Sequence, residues 1–163
     1  MSTRLIYLIG LVVVSLLIAG SVYLQVIDGV MPCPLCVLQR LCFGLLGIFF
    51  LIGLIVSASR LGRMLVNFFS TAIAIIGLVL AGRQVWLQHF HSADGGECGV
   101  SLQYMLQILP LNEVMQKVFA GSAECSQRGW EFLTLNIAEW SLIWFILFLL
   151  LIGYLFVKEA SKH

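Results

Sequence analysis

Four long apolar runs constrain this chain more than any other feature of its sequence. A helix needs about 20 apolar residues to cross the roughly 30 Å hydrocarbon core of a bilayer. The sequence predicts four such spans, at residues 5–27, 37–58, 64–87 and 140–157. Of the 163 residues, 61% are hydrophobic and only 10% are charged, which is the composition of a membrane protein and not of a soluble domain. We therefore predict an all-α, four-helix transmembrane bundle that forms a single domain over residues 1–163.

Two boundaries of these spans leave alternatives. The first run could be a secretory signal peptide, because Arg4 precedes it, but it is longer than the roughly 7 to 15 apolar residues of such a signal. An uncleaved span is the preferred interpretation. The fourth span is the shortest, and its helix could begin a turn earlier, around Asn136.

The distribution of Lys and Arg predicts the orientation in the membrane, because cytoplasmic flanks retain positive charge. Five basic residues fall on the side of the two termini: Arg4, Arg60, Arg63, Lys158 and Lys162. Seven acids fall on the other side: Asp28, Asp94, Glu97, Glu113, Glu124, Glu131 and Glu139. Both termini are therefore predicted to be cytoplasmic, with loops 28–36 and 88–139 outside. The net charge of +1 and the scattered basic residues give no reason to expect a nucleic-acid partner.

This orientation places four of the five cysteines outside the cytoplasm, where disulfides form and persist. Cys33 and Cys36 share the short loop, and Cys98 and Cys125 share the long one, so two pairs are possible. Cys42 lies about 9 Å along a helix from Cys36, which exceeds the roughly 7 Å limit for a bridge. We interpret Cys42 as a small buried apolar residue.

The long outer loop has two recognisable segments. The glycine-rich stretch SADGGECG, residues 92–99, predicts a flexible turn that presents Cys98. The later stretch LNEVMQKVFA has apolar residues at helical spacing and is too short to span a bilayer. It predicts a short amphipathic helix that lies in the membrane interface, or that packs on the outer ends of the bundle.

The stretch MPCPLCVLQRLC, residues 31–42, concentrates chemistry at the membrane boundary. Pro34 suits the first position of a helix, which places Cys36 in the first turn, where the helix dipole stabilises a thiolate. Arg40 follows Cys36 by four residues and so lies on the same helix face. An arginine inside a span is costly, so we expect it to have a partner. The alternative is that Arg40 snorkels to the lipid headgroups.

The motif CPLCVLQR, a second cysteine pair and four spans together resemble the DsbB family of bacterial inner-membrane disulfide-bond formation proteins. The segments RQVWLQHFH, PLNEVMQKVFAGSAEC and WEFLTLNIAEW extend the resemblance over nearly the whole chain. It implies a redox enzyme that reoxidises DsbA, a periplasmic thioredoxin-fold oxidant, and passes the electrons to ubiquinone or menaquinone. Such an acceptor fits a chain without a haem-type C-x-x-C-H motif or a nucleotide-binding fingerprint.

The resemblance also implies a role for each outer cysteine. Cys98 corresponds to the cysteine that the reduced partner attacks, and Cys125 is its resolving mate. Cys33 and Cys36 correspond to the pair that reduces quinone, so the implied disulfides are Cys33–Cys36 and Cys98–Cys125. Among these four, the helix-side Cys36 is our candidate for contact with the quinone ring.

Two further residues correspond to quinone-binding positions of the family. Arg40 matches an arginine beside the quinone, and His91 matches a histidine near its ring, whereas His89 receives no role. The chain departs from the best-known pattern at Pro34, inside the C-x-x-C, and at Gln39, before the arginine. Neither change removes a reacting group. Ile137 occupies the place of a family methionine near the quinone, so no role is carried over to it.

Two other classes of function are compatible with the cysteines alone. Four cysteines could bind a structural zinc ion, with Cys33 and Cys36 as half of the site. The chain could also be a tetraspanin-like organiser whose bridged outer loop recruits partners. The second interpretation gives Arg40 no role, and the resemblance favours the oxidoreductase over both.

Overall fold

The computed structural model describes residues 3–28, 33–90, 110, 112–113, 131–132 and 134–161. Four long helices account for most of this part of the chain: α1 (Thr3–Asp28), α2 (Pro34–Val56), α3 (Arg60–Phe90) and α4 (Ile137–Ala160). Each helix is long and apolar enough to cross a membrane. The predicted all-α fold with four membrane-spanning helices is therefore confirmed.

Most helix ends extend past the membrane spans expected from hydropathy, but α2 ends at Val56, two residues before the expected end at 58. α2 begins at Pro34, and α3 runs for 31 residues to Phe90. A short turn joins the two helices, and Ser59 starts α3 by accepting a hydrogen bond from the Gly62 amide through its hydroxyl. Hydropathy locates the apolar centre of a helix, whereas capping groups locate its ends. The limits of the hydrocarbon region itself remain predictions.

The helices pack in chain order around α2 and α3. α2 lies between α1 and α3, and α4 packs on α3, while α1 and α4 barely touch. Aromatic side chains fill the core, where the rings of Phe43 and Phe145 stack with centroids 4.2 Å apart. Many large apolar side chains point outward, among them Leu16, Val26, Ile55, Leu61, Leu150 and Val157. This surface suits lipid, because in water so many exposed apolar side chains would drive association.

Glycines allow close approaches between helices. An added Cβ at Gly77 on α3 would clash with the ring of Phe145 on α4. An added Cβ at Gly53 on α2 would lie 2.9 Å from the Tyr7 ring on α1. Small residues at helix contacts let the backbones approach closely in membrane bundles. These two glycines therefore fix the spacing of α3 with α4 and of α1 with α2.

A polar cluster ties the bundle together at the end that carries both termini. Arg63 on α3 forms a 2.7 Å ion pair with Glu159 on α4, and its Nη1 donates to the Ser57 carbonyl at 2.6 Å. Arg4 Nε donates to the Ser57 hydroxyl at 2.7 Å. The Tyr7 hydroxyl donates to Asn67 Oδ1 at 2.8 Å. These contacts join α1, the α2–α3 turn and α4 at one end of α3.

A small hairpin precedes α4 and was not predicted from the sequence. Strand β1 (Glu131–Phe132) pairs antiparallel with β2 (Leu135–Asn136), and Thr134 adopts a positive φ of 67° in the turn. Asn136 then caps α4, because its side chain accepts from the Glu139 amide at 3.0 Å while Glu139 accepts from the Asn136 amide at 2.8 Å. The helix thus begins at Ile137, next to the earlier start considered around Asn136. The predicted amphipathic helix lies outside the described residues, apart from Asn112 and Glu113.

Candidate functional site

Cys33 begins α2 and acts as its cap. Its backbone is extended, with φ −62° and ψ 156°, and its Sγ accepts a hydrogen bond from the Cys36 amide at 3.2 Å. Pro34 occupies the first turn, where its missing N–H removes no helical hydrogen bond. Cys33 is only 5% exposed, whereas Cys36 is half-buried. Both sulfurs therefore lie at the positive end of the α2 dipole, and Cys36 is the more accessible of the two.

Two glutamines meet the cysteine pair from neighbouring helices. Gln84 on α3 directs its Nε2 at both sulfurs, 3.1 Å from Cys36 Sγ and 3.4 Å from Cys33 Sγ. Its Oε1 accepts a hydrogen bond from Gln39 Nε2 on α2 at 2.6 Å. Both glutamines are 3% exposed, so their two side chains are closed off from solvent.

The sequence interpretation missed the part that Gln84 plays here. Gln84 lies inside an apolar span, and Gln39 differs from the best-known family pattern, but neither feature indicates a contact with the cysteines. A buried polar side chain in a membrane helix is expected to bond across to another helix. That rule could have paired the two glutamines, but it does not indicate that the pair would face the sulfurs.

Arg40 lies one turn deeper along α2 than Cys36 and is bound to α1. Its Nη1 donates to Gln25 Oε1 at 2.7 Å, and its Nη2 donates to the Ser21 carbonyl at 3.2 Å. The partners expected for this charge are therefore two oxygens on α1, the Gln25 side-chain oxygen and the Ser21 carbonyl. These two bonds use two of the five guanidinium N–H groups. The guanidinium is thus held in place by α1 while other N–H groups of it are not used by these two bonds.

A histidine–carboxylate contact lies at the end of the bundle where α3 ends and α4 begins. His89 near the end of α3 lies 2.9 Å, Nε2 to Oε1, from Glu139 in the first turn of α4. Glu139 also belongs to the cap of α4. His89, which the sequence left without a role, therefore links the end of α3 to the start of α4.

Three of the predicted site residues, Cys98, Cys125 and His91, lie outside the described residues. The Cys98–Cys125 pairing and the role of His91 accordingly remain predictions. Cys33 and Cys36 are present as thiols in this structure, so their predicted disulfide also remains a prediction. Cys42 is 7% exposed and sits in the apolar core, as expected for a small buried residue.

The geometry combines a C-x-x-C at a helix start, a buried amide donor and an anchored arginine within one end of a membrane bundle. The family model for "Disulfide bond formation protein DsbB" matches residues 3–155. The chain belongs to the DsbB family. A disulfide bond formation protein B from Nitrosomonas europaea is 37% identical over 158 residues, which cover 96% of this chain and 95% of the relative. Disulfide bond formation protein B 1 of Pseudomonas aeruginosa is 38% identical over 148 residues, covering 91% of each chain. A disulfide bond formation protein B from Hahella chejuensis is 33% identical over 159 residues, which cover 98% of this chain and 96% of the relative.

Membership in the DsbB family makes this chain a disulfide bond formation protein and an oxidoreductase of the multi-pass membrane type. Its described cysteines agree with that chemistry, because thiol–disulfide exchange requires a thiolate and an accessible sulfur. The Cys33 sulfur accepts a hydrogen bond from the Cys36 amide, which stabilises a thiolate there, and the half-buried Cys36 is the more accessible of the two cysteines.

Proposed function

We propose that this DsbB-family protein reoxidises a DsbA-like thioredoxin-fold dithiol protein and passes the electrons to membrane quinone. The observation that carries the proposal is the placement of Cys33 and Cys36 at the start of an apolar helix, with Arg40 one turn deeper and held by α1. A lipid-soluble acceptor can approach such a pair from the bilayer. A soluble electron carrier could not approach it from that side.

The electrons move in two disulfide exchanges and one oxidation. The partner's two thiols are oxidised to a disulfide as the Cys98–Cys125 disulfide is reduced to two thiols. Those thiols then reduce the Cys33–Cys36 disulfide and close their own bridge again. Finally Cys33 and Cys36 release two electrons and two protons and re-form their disulfide. Quinone supplies a two-electron, two-proton acceptor for that last step.

The chain's own groups divide this work. Cys36 is the more accessible sulfur and is the one we assign to the side of the acceptor, while Cys33 completes the disulfide. Arg40 orients the acceptor and stabilises the negative charge that develops on its oxygen, because preorganised donors act strongly in a water-excluded site. His91 is assigned beside the ring by the family resemblance.

The same resemblance and the charge asymmetry support a location in the bacterial inner membrane. Both termini are then cytoplasmic, and the loops with Cys98 and Cys125 face the periplasm, where the DsbA-like partner is found. Ubiquinone and menaquinone both satisfy the chemistry.

The proposal is tested with the purified full-length protein in lipid nanodiscs. A reduced DsbA-like protein is added with ubiquinone or menaquinone analogues, and quinone absorbance and partner thiols are followed together. We expect one quinone to be reduced for each partner disulfide formed. Partner oxidation without quinone reduction would refute the proposed acceptor. One tightly held zinc ion per chain, with no reducible disulfide, would refute the oxidoreductase role of the cysteines altogether.

A further inference from the structure

The Gln84 amide is placed to discriminate between the oxidised and reduced forms of the Cys33–Cys36 pair. Its Nε2 lies within hydrogen-bond distance of both sulfurs, at 3.1 Å and 3.4 Å. A thiolate is a much better hydrogen-bond acceptor than a disulfide sulfur, because it carries a negative charge. A hydrogen bond to the thiolate therefore favours the ionised, reduced form of the pair. The contact therefore contributes most when the pair is reduced and ionised.

Gln39 determines which end of the Gln84 amide faces the sulfurs. Its Nε2 donates to Gln84 Oε1 at 2.6 Å, which occupies the amide's acceptor and turns the donor towards the cysteines. Both side chains are buried, so water does not compete for either group. Without Gln39, the Gln84 amide could rotate and offer its oxygen, which would repel a thiolate.

We infer that Gln84 stabilises the reduced Cys33–Cys36 pair by donating to its thiolate, with Gln39 as the positioning residue that orients Gln84, and that the two together raise the pair's reduction potential. A higher potential draws electrons from Cys98 and Cys125 into this pair. The inference rests on the proposed function for the direction of electron flow, but the change in potential is measurable without quinone or partner.

The test measures the equilibrium of the pair with glutathione. Full-length protein carrying Cys98→Ser and Cys125→Ser is equilibrated in glutathione buffers. The oxidised fraction of the Cys33–Cys36 pair is then measured by trapping the thiols and recording the protein's mass by mass spectrometry. Gln84→Met removes the donor while keeping a side chain of similar length. Hydrogen bonds to charged groups change equilibrium constants by about tenfold or more. We therefore expect oxidation by glutathione to become about tenfold more favourable, which is a fall of about 30 mV in potential.

Gln39→Met should shift the same equilibrium two- to fivefold in the same direction, since the donor remains but loses its orientation. The rate of Cys36 alkylation at pH 7 should fall in both variants, because alkylation requires the thiolate. Tyr7→Phe is the matched control. It removes another buried hydrogen bond between helices, to Asn67, about 25 Å along α3 from Gln84. This control should lower stability and leave the potential unchanged.

The outcomes separate the inference from the function on which it rests. An unchanged equilibrium constant in folded Gln84→Met would overturn the inference, and if that variant does not fold, an unchanged constant in Gln39→Met would do so. An equal shift in Tyr7→Phe would also overturn it, since the effect would then be structural. Failure of the unmodified protein to reduce quinone would instead overturn the proposed function. A tenfold shift at Gln84 would still establish the hydrogen bond's effect on the pair.

Discussion

The Arg40 guanidinium is a fixed charge inside a predominantly apolar helix, and its contacts define what it can do. Gln25 and the Ser21 carbonyl hold two of its N–H groups, so the side chain does not need to reach the headgroups for partners. An ordered guanidinium is a better electrostatic catalyst than a mobile one, since no reorganisation is needed during the reaction. The anchoring to α1 therefore favours a functional role for Arg40 over snorkelling.

Replacement of Arg40 should weaken quinone-coupled activity strongly. A hydrogen bond to a charged group is worth about 1.5 to 3 kcal/mol, so Arg40→Gln should lower catalysis with quinone by roughly ten- to a hundredfold. Arg40→Lys should be milder, because it keeps the charge but loses the planar fork. The measurement is quinone reduction by prereduced protein across a quinone titration.

Gln25→Leu provides the control for this prediction. It removes one anchor of the guanidinium while leaving the charge in place, and we expect a loss smaller than that of Arg40→Gln. Unchanged quinone kinetics in a folded Arg40→Gln protein would contradict this role and favour the alternative in which Arg40 snorkels to the lipid headgroups.

Single residues differ in how far the sequence reveals their roles. The helix start at Pro34 and the position of Cys36 in the first turn follow from local rules, and the structure shows both. The contact of Gln84 with the sulfurs depends on how α3 is rotated against α2, and Gln84 lies 48 residues from Cys36 in the chain. No local rule encodes that rotation, so the contact of the glutamines with the sulfurs could be found only in three dimensions.

The four helices were predictable from the sequence because a bilayer requires long apolar runs. The hairpin before α4 was not predictable. Its strands have two residues each, too few for a recognisable alternation. Its turn uses Thr134 with a positive φ, although the usual sequence signal for such a turn is Gly or Asn. The Asn136 cap was within reach of the sequence, since Asn with Glu three residues later is a capping pattern.

The contact between α3 and α4 should be sensitive to a single methyl group at Gly77. Its missing side chain makes room for Phe145, which stacks on Phe43. Gly77→Ala must displace a ring that is fully buried, and overpacking of this kind costs about 1 to 3 kcal/mol. We expect that decrease in the free energy of unfolding, measured by denaturant titration in detergent micelles.

Gly44→Ala is the matched control within α2. An added Cβ there has no atom of the described residues within 4 Å, so no overpacking arises. Alanine is favoured over glycine in a helix interior by roughly 0.5 to 1 kcal/mol, so this variant should be slightly more stable. Equal effects at Gly77 and Gly44 would contradict the packing argument.

Across the whole molecule, the two ends of the bundle carry different chemistry. One end holds the ion pair of Arg63 with Glu159, and the other holds the cysteines, the glutamines and the contact of His89 with Glu139. The turn between α2 and α3 lies at the first end, about 35 Å along α2 from Cys33. If the positive flanks are cytoplasmic, the redox end must face the periplasm.

Thiol labelling of intact cells tests this orientation. After reduction, Cys98 should react with a membrane-impermeant maleimide added from outside. A reporter cysteine, Ala58→Cys, sits in the exposed α2–α3 turn and should react only after the inner membrane is disrupted. Cys42, buried in the core, should stay unlabelled in both conditions. Labelling of Ala58→Cys from outside, with Cys98 protected, would invert the predicted topology.

The separation of the two cysteine pairs predicts that the two half-reactions can be uncoupled. Cys98→Ser should abolish exchange with the DsbA-like partner but leave Cys33 and Cys36 oxidisable by quinone, because the membrane-boundary pair needs no loop cysteine for that step. Cys36→Ser should do the reverse, since Cys98 can still be attacked by the reduced partner while quinone reduction stops. The two reactions are measured separately, as mixed-disulfide formation with the partner and as quinone bleaching by prereduced protein. Loss of the same half-reaction in both variants would show that the pairs do not divide the work in this way.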